Sequence, residues 1–142
     1  MLDPKRDQQT QKYIQCVTAQ ISRIMGNYPA VAAVYLLGSA VAGVMRDDSD
    51  IDIALLPVDE QSISLQSCLE MAALLEAELH RVVDIGVITT KNLIYASEAI
   101  FKGRRIITIH KDYTEAMEAR LLGCYFIFRQ DRKVVEESYR AA

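Results

Sequence analysis

The sequence LLGSAVAGVMRDDSDIDIALLP, residues 36–57, joins two apolar segments through a turn that contains glycine and serine. Val31 to Leu37 leads into this turn and Asp50 to Leu56 follows it, and both have the short apolar composition of buried strands. Because successive side chains of a strand point to opposite faces, Asp50 and Asp52 are expected to share one face. The sequence therefore predicts two carboxylates aimed at one point.

Two neighbouring, partly buried carboxylates need something to neutralise them. Like charges at close range repel, and burial makes each ionised group more costly. A shared proton, arginine partners or a divalent cation would each relieve the repulsion, and Mg²⁺ prefers one or two carboxylates with water and substrate phosphates. Asp84 lies within the apolar segment Val82 to Ile88 and becomes a third candidate if that strand lies beside Asp50 to Leu56.

The turn after the first strand supplies candidate phosphate ligands. Gly38 and Ser39 follow the strand directly, and Gly43 lies four residues after Ser39. Glycine permits close backbone approach, and a serine hydroxyl with the N–H groups of a helix start can hold phosphate oxygens. Each feature also has an ordinary explanation, as a solvated turn, a helix cap or an acid paired with Arg81 or Arg104. Their joint occurrence favours a site for a nucleoside triphosphate with Mg²⁺.

The rest of the chain alternates between helical and strand patterns. Apolar spacing predicts helices over Gln8 to Asn27, Ser64 to Leu79, Lys91 to Phe101 and Asp112 to about Tyr139, and further strands over Val82 to Ile88 and Arg104 to Ile109. We expect an α/β fold with a small mixed β-sheet flanked by helices and a long C-terminal helix. At 142 residues, a single domain spanning 1–142 is expected.

Two of these helices carry stripes that predict their core faces. The first stripe comprises Leu65, Cys68, Leu69, Ala72, Leu75 and Leu79, and the final helix has Met117, Leu121, Cys124, Phe128 and Val135 in register. Leu121 to Phe128 is apolar nearly all round, which is typical of a buried central helix or of a helix that packs on another chain.

Composition and charge exclude several classes of protein. A net charge of -3 predicts no general affinity for nucleic acid, although Lys102, Arg104 and Arg105 could form a local basic patch. The three cysteines are scattered, so neither a disulfide framework nor a zinc site is indicated, and a reducing cytoplasm is expected. Tyr28 to Met45 is uncharged over 18 residues, the lower limit for a membrane helix, but it divides more naturally into strand, turn and helix start.

The order Gly38-Ser39, Gly43, Ser49-Asp50-Ile51-Asp52 and a later strand acid resembles the nucleotidyltransferase superfamily related to DNA polymerase β. The short chain is most similar to its minimal nucleotidyltransferases, particularly the antitoxins paired with HEPN-domain ribonuclease toxins. The segment EAIFKGRRII, residues 98–107, also resembles that family's glycine-containing turn into a last strand. The chain departs from the pattern by carrying alanine at positions 40 and 42, where many relatives carry aromatic or basic residues.

This resemblance implies a two-metal nucleotidyl transfer. Asp50, Asp52 and Asp84 would hold two Mg²⁺ ions, with Asp84 also helping to activate the acceptor hydroxyl. The triphosphate would be contacted by Gly38, Ser39, Gly43 and Ser49. A hydroxyl would attack the α-phosphorus of ATP and pyrophosphate would leave. The implied acceptor is a tyrosine of a cognate HEPN toxin, which the transferred AMP would neutralise within a hetero-oligomer.

Three other functions remain open from the sequence. The chain could act as an antitoxin by tight binding without catalysis, for which Leu121 to Phe128 offers an apolar surface. Nucleotidyl transfer to a small molecule such as an aminoglycoside is a second option, although those enzymes usually carry an extra substrate domain. A metal-dependent phosphoesterase would be expected to use histidine ligands, and only His80 and His110 exist.

Overall fold

The computed structural model describes residues 4–38 and 50–141. Within these ranges the chain forms four helices and four strands. They are α1 Pro4–Met25, β1 Val31–Leu37, β2 Ile51–Pro57, α2 Leu65–Leu79, β3 Val83–Val87, α3 Leu93–Phe101, β4 Arg104–Thr108 and α4 Lys111–Ala141. Every helix and strand predicted from the sequence is present, with bounds that differ by a few residues.

The four strands form one mixed sheet in the order β3-β2-β1-β4. Strand β1 pairs antiparallel with both β2 and β4, whereas β2 and β3 pair in parallel. A parallel pair requires a crossover connection, and α2 provides it between β2 and β3. The predicted α/β class, mixed sheet and long C-terminal helix are confirmed.

Side-chain alternation along the strands divides the core between the two faces of the sheet. Helices α1 and α2 cover one face, where Ile21, Leu36, Ile53 and Leu75 are fully buried. Helices α3 and α4 cover the other face, and its buried residues include several alanines. Because alanine leaves room for a helix backbone, α3 can approach this face closely. This second face carries the candidate site.

The expected core stripe of α2 is only partly correct. The buried residues of this helix are Cys68, Met71 and Leu75, whereas Leu65 and Leu69 have exposed fractions of 77% and 63%. The apolar arc of the helix is wider than the surface that the sheet covers, so its leucine edge faces outward.

The buried stripe predicted for α4 is wrong beyond Leu121. Thr114 and Leu121 are the buried residues of this helix, while Phe128 and Val135 are exposed. A helix of 31 residues is about 46 Å long, but a strand of seven residues spans roughly 23 Å. The second half of α4 therefore extends past the sheet.

The sequence alternative of a membrane helix is wrong over Val31–Leu37, because these residues form β1 at the centre of the sheet. Among the residues that the structure describes, no helix combines the length and the apolar character needed to cross a bilayer.

Candidate active site

The parallel pairing of β2 and β3 places two of the predicted acids side by side. The register aligns Asp52 with Asp84, and two residues further along it aligns Ala54 with Gly86. Because Ala54 belongs to the core beneath α3 and α4, Asp52 projects on that same face. The condition set by the sequence, that the strand of Asp84 lie beside the strand of Asp52, is met.

The third predicted acid, Asp50, lies one residue before β2 and is exposed. Its negative charge nevertheless acts on Asp52, since it contributes to raising the pKa of that carboxyl. The strand predicted over Asp50 to Leu56 begins at Ile51 instead.

Asp52 and Asp84 line a cleft of about 390 Å³ at the end of the sheet. The cleft lies between the end of β1, the starts of β2 and β3, and one side of α3. Its lining residues are Leu37, Gly38, Asp52, Ile53, Asp84, Ile85, Gly86, Tyr95 and Glu98. Residues contributed by all of these elements thus meet around the two acids.

The electrostatics of the cleft disfavour negative charge on Asp52. Its pKa is raised by partial burial first, then by the charges of Asp84 and Asp50. All three causes penalise the ionised form of the carboxyl. A divalent cation between Asp52 and Asp84 would offset this penalty.

Gly38 adopts a conformation that other residues rarely take, with φ +74°. A Cβ at this position would come within 2.6 Å of Asp52 Oδ2. The backbone of Gly38 is therefore packed directly against the acid. Of the other predicted phosphate ligands, Ser39, Gly43 and Ser49 lie outside the described residues, as do Ala40 and Ala42.

Two cleft residues, Tyr95 and Glu98, are not among the site residues predicted from the sequence. Both lie on α3, three residues apart and therefore on one side of the helix. The Tyr95 ring occupies the space above Gly86, and burial together with the charges of Asp52 and Asp84 raises the pKa of its hydroxyl to about 12. The signal that could have identified them is a tyrosine and a glutamate at helical spacing in the largely apolar segment LIYASEAIF.

The donor chemistry of the cleft suits a hard divalent cation. Carboxylate oxygens such as those of Asp52 and Asp84 are the ligands that Mg²⁺ takes, one or two at a time, while it keeps water and phosphate ligands. Over residues 4–38 and 50–141, no set of three or more His, Cys, Asp or Glu side chains is arranged to hold a metal ion. The described residues thus offer a pair of acids that fits such an ion with further ligands from substrate.

Comparison with known families identifies the class to which this fold and site belong. The family model described as Polymerase beta, Nucleotidyltransferase matches residues 19–112, which is more than half of the chain. The protein belongs to this family of nucleotidyltransferases. Curated protein sequences yielded no match.

Solved structures share the fold at low sequence identity. One chain of a structure described as a toxin-antitoxin with AMP-PNP is 22% identical, over 87% of this chain and 98% of its own, with a TM-score of 0.70. A chain from a tri-AMPylated Shewanella oneidensis HEPN toxin in complex with MNT antitoxin is 20% identical, over 89% and 98%, with a TM-score of 0.69. A chain of the toxin-antitoxin MntA-HepT is 21% identical, over 89% and 98%, with a TM-score of 0.66.

Proposed function

We propose that this protein is an Mg²⁺-dependent nucleotidyltransferase that uses ATP, and that it acts as an antitoxin by transferring AMP to a tyrosine hydroxyl of a cognate HEPN toxin. The observation that carries the proposal is the pairing of Asp52 with Asp84 in a cleft closed on one side by Gly38. Because the chain belongs to the nucleotidyltransferase family, we assign this pair the binding of metal for nucleotidyl transfer.

The chain's own residues divide that task among them. Asp52 and Asp84 would hold the cations, and Asp50, the exposed residue before β2, is the third predicted ligand. Bound Mg²⁺ would supply positive charge both to the attacking hydroxyl and to the departing pyrophosphate. Gly38 has no side chain, so a triphosphate can approach the backbone beside Asp52. Ser39, Gly43 and Ser49 would add further phosphate contacts, and Asp84 would help to take the proton from the acceptor hydroxyl.

The choice of nucleotide and partner rests on the structural neighbours. One neighbour is described with AMP-PNP, an analogue of ATP, and another contains a tri-AMPylated HEPN toxin with an MNT antitoxin. These descriptions support ATP as the proposed substrate and a HEPN toxin as the proposed partner of this chain.

One structural observation favours a second function, which is neutralisation by binding alone. The part of α4 beyond Leu121 carries large apolar side chains with little cover. Its exposed members are Phe126, Ile127, Phe128, Val134, Val135 and Tyr139. Exposed apolar surface of this kind marks sites of protein association. A partner that covers it would be held whether or not AMP is transferred.

The experiment that tests catalysis is label transfer from α-labelled ATP to a purified HEPN toxin, with Mg²⁺ present. We expect Asp52→Asn and Asp84→Asn each to lower the labelling by at least about a hundredfold, since a metal ligand is lost. Asp59→Asn is the matched control, because Asp59 is an exposed acid beyond the opposite end of β2. Undiminished labelling by the two site variants would exclude the assignment.

The same variants separate catalysis from binding. Each is mixed with the partner, and complex formation and residual toxicity are measured. If Asp52→Asn binds the partner but no longer protects cells, then neutralisation requires nucleotidyl transfer. Full protection by a variant that transfers no label would instead establish binding through a surface such as α4 as the mode of action.

A further inference from the structure

We propose that Glu98 is the residue of this site that recognises the sugar of the nucleotide, and that its carboxylate accepts hydrogen bonds from the ribose hydroxyl groups. The inference rests on the proposed function, because it names the part of the substrate that one wall of the cleft binds. It goes beyond that function by assigning a residue that selects ribonucleotides. Glu98 belongs neither to the acid pair of β2 and β3 nor to the glycine and serine turn.

The first step of the argument is the position of Glu98 on the wall of the cleft. Glu98 lines the same cleft as Asp52 and Asp84, but it comes from α3 and not from the sheet. Within the described ranges, no three acidic, histidine or cysteine side chains are arranged as a metal site. Glu98 therefore does not join Asp52 and Asp84 as a third ligand of one ion, and its carboxylate is available to another part of the substrate.

The second step is that the end of α3 is fixed against the cleft wall. The Glu98 carbonyl oxygen accepts hydrogen bonds from the N–H groups of Lys102 and Gly103, at 2.9 and 3.1 Å. A Cβ on Gly103 would lie 2.5 Å from Leu37 Cδ2, so the two residues are in close contact. Leu37 itself lines the cleft and is the strand partner of Asp52. The backbone of Glu98 is thus tied, through Gly103 and Leu37, to the strand that carries Asp52.

The third step concerns the chemical group that Glu98 presents. No hydrogen bond or ion pair joins its carboxylate to another described residue, Lys102 included. An ionised carboxylate accepts hydrogen bonds and donates none. Phosphate oxygens carry the same sign of charge and would be repelled by it. Glu98 is therefore suited to an uncharged part of a nucleotide that donates hydrogen bonds.

The donors that match best are the two hydroxyl groups of the ribose. They are neighbours on the sugar ring, so both can bond to one carboxylate, and acidic side chains bind ribose hydroxyls in dinucleotide-binding folds. The amino group of adenine is the alternative donor. The ribose, however, is joined directly to the triphosphate and lies nearer than the base to phosphates bound at Asp52 and Asp84. Because Glu98 shares the cleft of these two acids, we assign it to the sugar.

Calorimetric titration of the isolated protein with nucleotide and Mg²⁺ tests this assignment. The probes are ATP and dideoxy-ATP, which lacks both ribose hydroxyls. We expect the native protein to bind ATP about tenfold more tightly than dideoxy-ATP. In Glu98→Ala the two affinities should agree within about twofold, because only the hydroxyls lose a partner. The lost charge acts on both nucleotides alike and cancels in their ratio. A tenfold preference that persists in Glu98→Ala would overturn the proposal.

Glu78→Ala is the matched control. Glu78 is an exposed glutamate of α2, which covers the opposite face of the sheet. This variant removes the same group and should keep the preference for ATP over dideoxy-ATP. Because Glu98 is also exposed, both variants should keep the native melting temperature within about 2 °C. Equal loss of the preference in both variants would contradict a specific role for Glu98.

Inosine triphosphate distinguishes recognition of the sugar from recognition of the base, because it keeps the ribose and lacks the amino group of adenine. The ratio of the affinities for ATP and inosine triphosphate should be the same in the native protein and in Glu98→Ala. If Glu98→Ala instead removes a preference for ATP over inosine triphosphate and keeps the preference over dideoxy-ATP, the carboxylate binds the base and the proposal is wrong.

Kinetics provide a further readout of the same contact. In the transfer reaction, Glu98→Ala should raise KM for ATP about tenfold and change kcat less than about threefold, since the ribose is bound equally before and during the reaction. A loss confined to kcat would contradict a role in binding the sugar.

The titrations also separate this inference from the proposed function. If the native protein binds ATP and dideoxy-ATP equally, and Asp52→Asn abolishes the Mg²⁺-dependent binding of both, the role of Glu98 fails and the metal site stands. If the native protein binds neither nucleotide in the presence of Mg²⁺, the proposed function itself fails and this inference fails with it.

Discussion

Gly38 and Asp52 are packed against each other where β1 ends and β2 begins, so closely that a Cβ on Gly38 would lie 2.6 Å from Asp52 Oδ2. The register that pairs Leu37 with Asp52 brings the end of β1 beside the acid. Gly38 also has a positive φ of 74°. Position 38 therefore favours glycine for two reasons: the backbone has a positive φ there, and a side chain would overlap the Asp52 carboxylate.

Replacing this glycine should therefore damage both stability and the site. In Gly38→Ala the positive φ alone costs about 1–2 kcal/mol, and the overlap with Asp52 adds to that. We expect the free energy of unfolding to fall by about 2 kcal/mol or more, measured by urea denaturation. Gly26→Ala is the control, because no atom lies within 4 Å of a Cβ there, and it should change stability by less than about 0.5 kcal/mol. Similar losses in both variants would contradict this explanation.

Asp52→Asn should stabilise the metal-free protein. The folded-state pKa of Asp52 is raised above its unfolded value, so ionisation of this carboxyl destabilises the folded state. The free energy of unfolding therefore falls as the pH rises from below the unfolded pKa through the folded-state pKa. Near neutral pH the variant should melt higher by about 3 °C. The difference should shrink as the pH is lowered toward 3.8, the ordinary pKa of an aspartyl carboxyl. A variant that melts lower than the native protein at neutral pH would refute the charge argument.

A hydrogen-bonded triad ties the central strand to α4. Tyr35 is 2% exposed, and its hydroxyl donates to Glu118 Oε1 at 2.5 Å. Arg105 Nη1 lies 3.0 Å from the same oxygen. We expect Tyr35→Phe to destabilise the protein by about 1.5 kcal/mol. In a double-mutant cycle with Glu118→Gln, the coupling energy should be at least about 0.5 kcal/mol. Additive effects would show that the bond contributes little.

The two halves of α4 should respond differently to truncation of an apolar side chain. Leu121 is 1% exposed, and Leu121→Ala should cost about 2–5 kcal/mol. Val135 is 53% exposed, and Val135→Ala should change the free energy of unfolding by less than about 0.5 kcal/mol. Denaturant unfolding of the isolated protein measures both. A large loss in Val135→Ala would mean that the end of the helix is packed after all.

The sequence predicts the local structure of this protein well because local rules determine it. Apolar periodicity locates every described helix and strand, and the alternation of β2 separates Asp52 from the isoleucines beside it. Asp52 and Asp84 can be identified as candidate site residues because each is an acidic residue within an apolar strand segment. The metal and phosphate roles of the predicted site residues stay predictions until they are measured.

What the sequence leaves undetermined depends on tertiary packing. The order of the strands follows from how α2 crosses from β2 to β3, which no local pattern encodes. Tyr95 becomes a cleft residue only because α3 passes over Gly86. The apolar composition of α4 likewise does not reveal where the sheet stops supporting it, so Phe128 was expected in the core but is exposed.

The crossover through α2 has a consequence for when the site can exist. Asp52 and Asp84 lie on either side of that helix in the chain, and only the completed parallel pairing of β2 and β3 unites them. A nascent or partly unfolded chain, even one with β1 and β2 already joined as a hairpin, does not yet hold Asp52 beside Asp84. The acid pair that we propose to bind metal is therefore complete only once β2 and β3 have paired.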